Sequence, residues 1–263
     1  RNGGRRSVRD EGKPGDRPEV MGKVACAGGR LRWETPSLAL GPRARHNIER
    51  KGGGALSLSY DRDPISIERQ SLSLIRQVLQ SYSISPDLMP VAERVVHAGA
   101  DFSLANLVCA TPGWLSAARE RLTRQRILCD VDMVRSGLSR NLLRQLGLEP
   151  VCLIHQECTA DASRRMGITR AMASVDAALE MGIRLFAFGN APTGLFRLME
   201  RGDPGGVDLI FAFPVGFVGA AESKELALGW GAPCVALRGP RGGSNLCAAA
   251  VNAVMRLCGG TKG

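Results

Sequence analysis

From Tyr60 onward, apolar residues recur at two distinct spacings. The first is helical. Ile67, Ser71, Leu74, Val78 and Tyr82 return every three to four residues after Asp63-Pro64, an N-cap followed by a proline preset for the first helical position. Ser85-Pro86 repeats that start before Val91, Val95 and Val96, and Gly99 is placed to stop the second helix. Thr111-Pro112 opens a third, carrying Trp114, Leu115, Ala118 and Leu122. The second pattern is a set of short runs that are almost wholly apolar: 127–129, 151–154, 185–188, 209–213 and 234–237. Helical patterns lie between and after them, at 139–146, 169–181, 193–201, 220–228 and 244–257. Strands apolar on both sides need cover on both faces, so the pattern predicts a parallel five-stranded sheet in a single doubly wound α/β domain, preceded by helices.

The first 54 residues break this pattern. They hold 13 Lys and Arg against 6 Asp and Glu, and 11 of the 32 glycines, with no helical or strand periodicity. Of the chain's formal charge of +10, +7 falls in this stretch and +3 in the remaining 209 residues. Too little apolar surface is available there to offset the entropy of ordering, which predicts a disordered basic extension over 1–54 and a folded domain over 55–263. A nucleic-acid arm is the functional alternative. The basic residues are scattered, however, and only Trp33 could stack on a base, so no nucleic-acid partner is expected. The chain starts at Arg1 with Met21 further in, and the stretch reads as a fragment end or an over-extended reading frame. No apolar run reaches the roughly 20 residues of a membrane span, and no secretory signal pattern is visible; a cytoplasmic protein without a membrane partner is expected.

Eight cysteines include no C-x-x-C pair, and most sit in apolar runs, as reduced core thiols do. His155 and Cys158 could make half a metal site, but no second pair lies at ligand spacing, so no metal site is expected. In open parallel sheets ligands bind beyond the carboxyl ends of the strands. Four segments fall there: 130–133, Gly189-Asn190-Ala191-Pro192-Thr193, Pro214-Val215-Gly216-Phe217-Val218-Gly219-Ala220-Ala221-Glu222-Ser223-Lys224, and Arg238-Gly239-Pro240-Arg241-Gly242-Gly243-Ser244-Asn245. The last three are rich in glycine and small polar residues, which let the backbone and the following helix N-terminus approach an anion. Arg238 and Arg241 add guanidinium groups suited to carboxylate or phosphate. None of the loops fits the dinucleotide or P-loop pattern, and such turns are as often purely structural. Three on one rim favour a site for a sizeable anion. Asp130 and Asp132 could be catalytic carboxylates, though strand-end and capping roles are commoner. Ser223 lacks a nucleophile elbow.

Of the three histidines, His46 lies in the extension and His155 reads as a strand-end residue. His97 ends the helix Arg94-Val95-Val96-His97-Ala98-Gly99. A helix C-terminus favours the imidazolium by about 0.3–1 kcal/mol, and up to about 2 when partly buried. That suits a general acid, with a plain capping histidine as the alternative.

These motifs resemble, in order, the precorrin-8X methylmutase family of cobalamin biosynthesis. The likeness rests on Pro214-Val215-Gly216-Phe217-Val218-Gly219-Ala220-Ala221-Glu222-Ser223-Lys224, Gly189-Asn190-Ala191-Pro192-Thr193, Gly167-Ile168-Thr169-Arg170, Gly242-Gly243-Ser244-Asn245 and Arg94-Val95-Val96-His97. It runs from about Tyr60 to Leu257, and the first 54 residues have no counterpart. One departure is Gly194, where the family usually has Ala; glycine there costs up to about 1 kcal/mol of helix propensity.

The resemblance implies a homodimeric, flavodoxin-like three-layer α/β/α isomerase that moves a methyl group from C-11 to C-12 of ring C in a corrin precursor. His97 takes the place of the proton donor to the ring C nitrogen, and Ser71, Arg94 and Arg170 fall at substrate-contacting positions. Gly189, Asn190, Thr193, Gly216, Arg238, Gly243 and Ser244, on the rim loops, complete the expected binding set. A substrate carrying acetate and propionate groups suits arginines and helix N-termini, and one proton donor with tight positioning needs no cofactor. His97-Ala98-Gly99-Ala100-Asp101-Phe102, 169–176 and 243–250 are more similar to the cobalt-precorrin-8 enzymes than to those of the metal-free route. In either case the metal would arrive inside the tetrapyrrole. The competing expectation is a tetrapyrrole carrier that binds without turnover.

Overall fold

A computed structural model of the chain describes residues 24–27, 30–33, 48–50, 56–58 and 60–259. The chain falls into two units, Arg1–Tyr60 and Asp61–Gly263. In the first, β1 (Val24–Ala27) pairs antiparallel with β2 (Arg30–Trp33), and β3 (Ile48–Arg50) with β4 (Leu56–Leu58). The rest of the expectation for 1–54 lies outside the described residues.

The second unit opens on α1 (Pro64–Leu79). Its start is the expected one: the Asp63 carboxylate accepts the N–H groups of Ile65 at 3.1 Å and Ser66 at 3.2 Å, with Pro64 in the first turn. The buried stripe is offset from the expected one. Leu72, Ile75 and Leu79 face inward, while Ile67 and Leu74 stay half exposed. The next helix, α2 (Met89–Gly99), begins three residues after Pro86. Its left-handed end falls on Ala100 (φ 48°), not on Gly99. Gly99 serves packing instead, since a Cβ there would sit 2.4 Å from Leu104 Cδ1 and 3.3 Å from Leu246 Cδ2.

A 3-10 turn (Phe102–Leu107) then leads into β5 (Val108–Ala110), and α3 (Trp114–Arg121) follows. Next come β6 (Arg126–Cys129), α4 (Asp132–Ser136), α5 (Arg140–Leu146), β7 (Glu149–Val151), α6 (Glu157–Met166) and α7 (Arg170–Glu180). The chain closes with β8 (Leu185–Phe188), α8 (Pro192–Arg201), β9 (Leu209–Ala212), α9 (Ala220–Gly229), β10 (Cys234–Leu237) and α10 (Ser244–Cys258).

Among the described residues of this unit, six strands form one sheet in the order β5-β10-β9-β8-β6-β7. The expected five parallel strands are all present. The addition is β5, which pairs antiparallel with β10 at one edge. Three residues show no periodicity of their own, and the partner lies more than 120 positions away, so local pattern could not reveal it. Strand β7 starts at Glu149 and takes in Pro150, which an edge strand tolerates because one side of its ladder is unpaired.

The apolar strands divide their side chains between two cores. Leu185 and Ala187 of β8 join Ile127, Phe211 and Val235 under α1, α2, α5 and α10. Phe186 and Phe188 join Leu128, Ile210 and Ala236 under α7 and α8. This is the three-layer α/β/α arrangement that alternation within fully buried strands demands. Among the described residues, no helix is long and apolar enough to cross a membrane.

Candidate active site

The carboxyl ends of β8, β9 and β10 each turn directly into a helix, and none of α8, α9 and α10 is capped by a side chain. Their N-caps are Ala191, Gly219 and Gly243, residues with no oxygen to offer the first-turn N–H groups. Three uncapped N-termini on one rim leave backbone donors and positive dipole ends for an anion. Gly219 holds φ +79°, a left-handed conformation that lets the loop turn sharply into α9.

The rim loops are laced together. Val215 N–H donates to Asn190 O at 3.0 Å, Gly216 N–H to Pro240 O at 3.0 Å, and Gly243 N–H to Phe213 O at 2.9 Å. Gly189 is buried where the β8 loop crosses the start of α10: a Cβ there would lie 2.6 Å from Val134 Cγ2 and 2.9 Å from Ser244 Cα. Asp130, at the end of β6, fixes the same loop by accepting Gly189 N–H at 3.0 Å and Asn190 N–H at 2.8 Å. It therefore binds backbone across the sheet and does not cap the helix that follows it. Burial of its carboxyl pushes the pKa up to about 6, against those backbone donors, which lower it. Thr193 is half buried and shares a hydroxyl hydrogen bond of 3.1 Å with Thr169, at the start of α7. Arg170, the first residue of α7, is exposed and has no ion-pair partner among the described residues.

A second group forms between α1 and α2. Arg94 and His97 lie one turn apart on α2, as Glu68 and Ser71 do on α1, and Arg94 pairs with Glu68. The hydrogen bond from Arg94 is the main cause that holds the Glu68 carboxyl below the usual carboxylate range, and the positive charges of Arg256 and His97 act in the same direction. Ser71 is half buried, and His97 is exposed with no hydrogen-bond partner among the described residues. Arg241 joins this corner to the rim. Its guanidinium pairs with Asp101 and donates to Ser103 Oγ at 2.7 Å, while Leu246 in the first turn of α10 packs close to Gly99.

The structure thus gathers Gly189, Asn190, Thr193, Gly216, Gly243 and Ser244 on one rim, and Ser71, Arg94 and His97 in the adjoining corner. The two rim arginines differ from expectation. Arg241 fastens the end of α2, and Arg238 pairs with Glu225 of α9 at 3.2 Å. His155 is exposed beyond the carboxyl end of β7, with its Nε2 3.5 Å from Asp132 Oδ2. Sequence reasoning missed Glu68 and Lys224. The signal for Lys224 was present: it occupies the inward stripe Ala220, Ser223, Lys224, Ala227 of α9, where a lysine is out of place. Among the described residues, no group of three or more His, Cys, Asp or Glu could hold a metal ion.

An open α/β sheet with glycine-rich loops and uncapped helix N-termini on its carboxyl rim defines the class: a doubly wound α/β domain, a fold whose ligands bind beyond the carboxyl ends of the strands. Residues 66–257 match the precorrin-8X methylmutase family, and the chain belongs to that family. It is 37% identical over 206 residues to the cobalt-precorrin-8 methylmutase of Salmonella typhimurium, covering 75% of this chain and 97% of the relative. It is 38% identical over 203 residues to the precorrin-8X methylmutase of Pseudomonas aeruginosa, with the same coverage. Both names thus occur at nearly equal identity. The crystal structure of precorrin-8x methyl mutase from Thermus thermophilus superposes with a TM-score of 0.68 at 32% identity, over 74% of this chain and 96% of that one.

Proposed function

We propose that the chain is the isomerase that moves a methyl group from C-11 to C-12 of ring C in cobalt-precorrin-8, giving a cobyrinate-type corrin. The observation that carries this reading is the junction just described: an exposed His97, without a hydrogen-bond partner among the described residues, on a helix end packed against the first turn of α10, beside a rim of uncapped helix N-termini. The N-termini and Arg170 suit the acetate and propionate carboxylates of a tetrapyrrole. Phe217 and Val218, 99% and 88% exposed at the tip of the β9 loop, suit its flat apolar face.

In this reading His97 donates a proton to the ring C nitrogen, drawing electron density toward it as the methyl group migrates. Substrate and product are isomers, so the corrin returns a proton elsewhere and the enzyme ends in its starting state. Ser71 and Arg94 orient ring C, and Glu68 keeps Arg94 in place. The choice of the cobalt substrate rests on the likeness of the stretches at 97–102, 169–176 and 243–250. The chain is taken to work as a homodimer in the cytoplasm.

The test is an absorbance assay of the full chain with cobalt-precorrin-8 and, separately, metal-free precorrin-8X. Wild type should convert the cobalt substrate faster. His97→Ala should lose about 10²–10⁴-fold in turnover while still binding product. Full activity of His97→Ala removes the assigned role, and tight binding without turnover by wild type identifies a carrier.

A further inference from the structure

The buried lysine of α9 has no part in the chemistry described so far. Lys224 is fully buried, and its ammonium group donates to two backbone carbonyls, Pro214 O at 2.9 Å and Arg241 O at 2.7 Å. These carbonyls belong to different rim loops, the β9 loop and the β10 loop. Between them the backbone adds two further ties, Gly216 N–H to Pro240 O and Gly243 N–H to Phe213 O. Among the described residues, no carboxylate forms an ion pair with the lysine, and the nearest to act on it, Glu225, is paired with Arg238. A cation held by carbonyl oxygens alone is costly to bury, so its location calls for a return other than core stability.

We propose that Lys224 is a positioning residue, whose Nζ donors clamp the β9 and β10 loops together and so fix the helix N-termini of α9 and α10 for substrate carboxylates. That substrate assignment rests on the methylmutase reading above; the clamp itself rests on the two hydrogen bonds. The clamp lies between the exposed Phe217 tip and the Arg241–Asp101 pair, so loosening it frees both from their places over the rim. Asp130 does the matching task for the β8 loop with the opposite charge. A buried anion and a buried cation thus hold three loops that carry no charge of their own toward the ligand except Arg238 and Arg241, both already paired.

The charge on Lys224 gives the clamp a measurable signature. Burial pulls its pKa down to about 8; the other groups acting on it are Cys109 of β5 and Glu225 of α9. Cys109 is itself kept a neutral thiol by burial, Glu225 is paired with Arg238, and Arg197 of α8 is turned to Asp176. Any opening that hydrates Lys224 restores the ordinary lysine pKa, so the open state binds the proton more tightly than the closed one. Opening therefore becomes harder as pH rises above about 8, and easier below it.

Two measurements on the full chain decide the matter. The first is amide hydrogen exchange of the ligand-free protein at residues 215–217 and 241–243, above all the bonded amides of Gly216 and Gly243, corrected for intrinsic rates. In wild type, protection should rise roughly tenfold from pH 7 to pH 9.5, with α7 unaffected. In Lys224→Met, those loops should exchange faster and lose the pH response. The second is turnover: Lys224→Met should raise KM about tenfold with kcat within about twofold, as loss of uniform binding does. Unchanged loop exchange in Lys224→Met, a pH response that survives in it, or a flat wild-type response overturns the proposal. Should Lys224→Met fail to fold, Lys224→Gln is put through the same exchange measurement, and unchanged exchange of Gly216 and Gly243 in it overturns the proposal. If wild type neither binds nor converts a tetrapyrrole, the methylmutase reading fails while the exchange data still judge the clamp.

Discussion

Asp130 offers a direct test of which force sets the geometry of the β8 loop. It is 4% exposed, and both carboxylate oxygens accept backbone N–H groups. Burial, the larger effect, lifts its pKa from the ordinary 3.8 to about 6, while the N–H donors of Gly189 and Asn190 pull it down. The folded protein therefore takes up a proton as pH falls through about 6, and the unfolded chain only near 3.8. Between those values the folded state holds more protons, so acidification stabilises it through this group and rising pH removes that stabilisation. A shift of about two units corresponds to about 3 kcal/mol. Asp130→Asn keeps the size, cannot titrate, and turns an amide NH2 toward one of the two backbone donors, leaving a buried N–H without an acceptor at a cost of about 1–3 kcal/mol. At pH 7.5 that loss offsets removal of the buried charge, and the two proteins should match within about 2 kcal/mol. At pH 4.5 wild type should gain about 2 kcal/mol on the variant, the rest of the roughly 3 kcal/mol appearing only below about pH 3.8. Urea unfolding of both proteins at both pH values gives the difference, in which every other titrating group cancels. A difference independent of pH, or wild type losing ground on acidification, refutes the reasoning: the backbone hydrogen bonds would then outweigh desolvation.

Three further outcomes follow from the same geometry. Gly189→Ala places a methyl group 2.6 Å from Val134 Cγ2 and 2.9 Å from the Ser244 backbone; the overpacking should cost about 1–3 kcal/mol, read as a lower Tm, and an unchanged Tm would show that the loop yields. Phe217→Ser should leave unfolding within about 0.5 kcal/mol of wild type but weaken corrin product binding roughly tenfold; equal affinity by absorbance titration would take Phe217 off the macrocycle. Ile67 and Leu74, half exposed and two turns apart on one face of α1, suit the proposed homodimer; sedimentation should give two chains for wild type and one for Ile67→Asp, and a wild-type monomer dismisses the dimer.

The layered α/β class, the parallel strands and most helix ends are legible in the local sequence. Those features are encoded within ten or so neighbouring residues: a cap such as Asp63-Pro64, or a strand such as Leu185-Phe186-Ala187-Phe188 that needs cover on both faces. Motif likeness marked His97 and the rim loops in the same way, because each motif is continuous in the chain. Tertiary structure alone decided what those loops are fastened to. Asp130 reaches Gly189 across 59 positions, Arg241 reaches Asp101 across 140, and β5 finds β10 more than 120 residues later. Arg238 and Arg241 looked free for a ligand until their carboxylate partners came into view. The inward stripe of α9 marks Lys224 as out of place, but which two carbonyls it meets, Pro214 O and Arg241 O, is decided by loops 10 and 17 positions away. Periodicity and caps are local free energies, whereas pairing a buried charge depends on which distant group the folded chain brings within 3 Å, and that distance exists only once the sheet has formed.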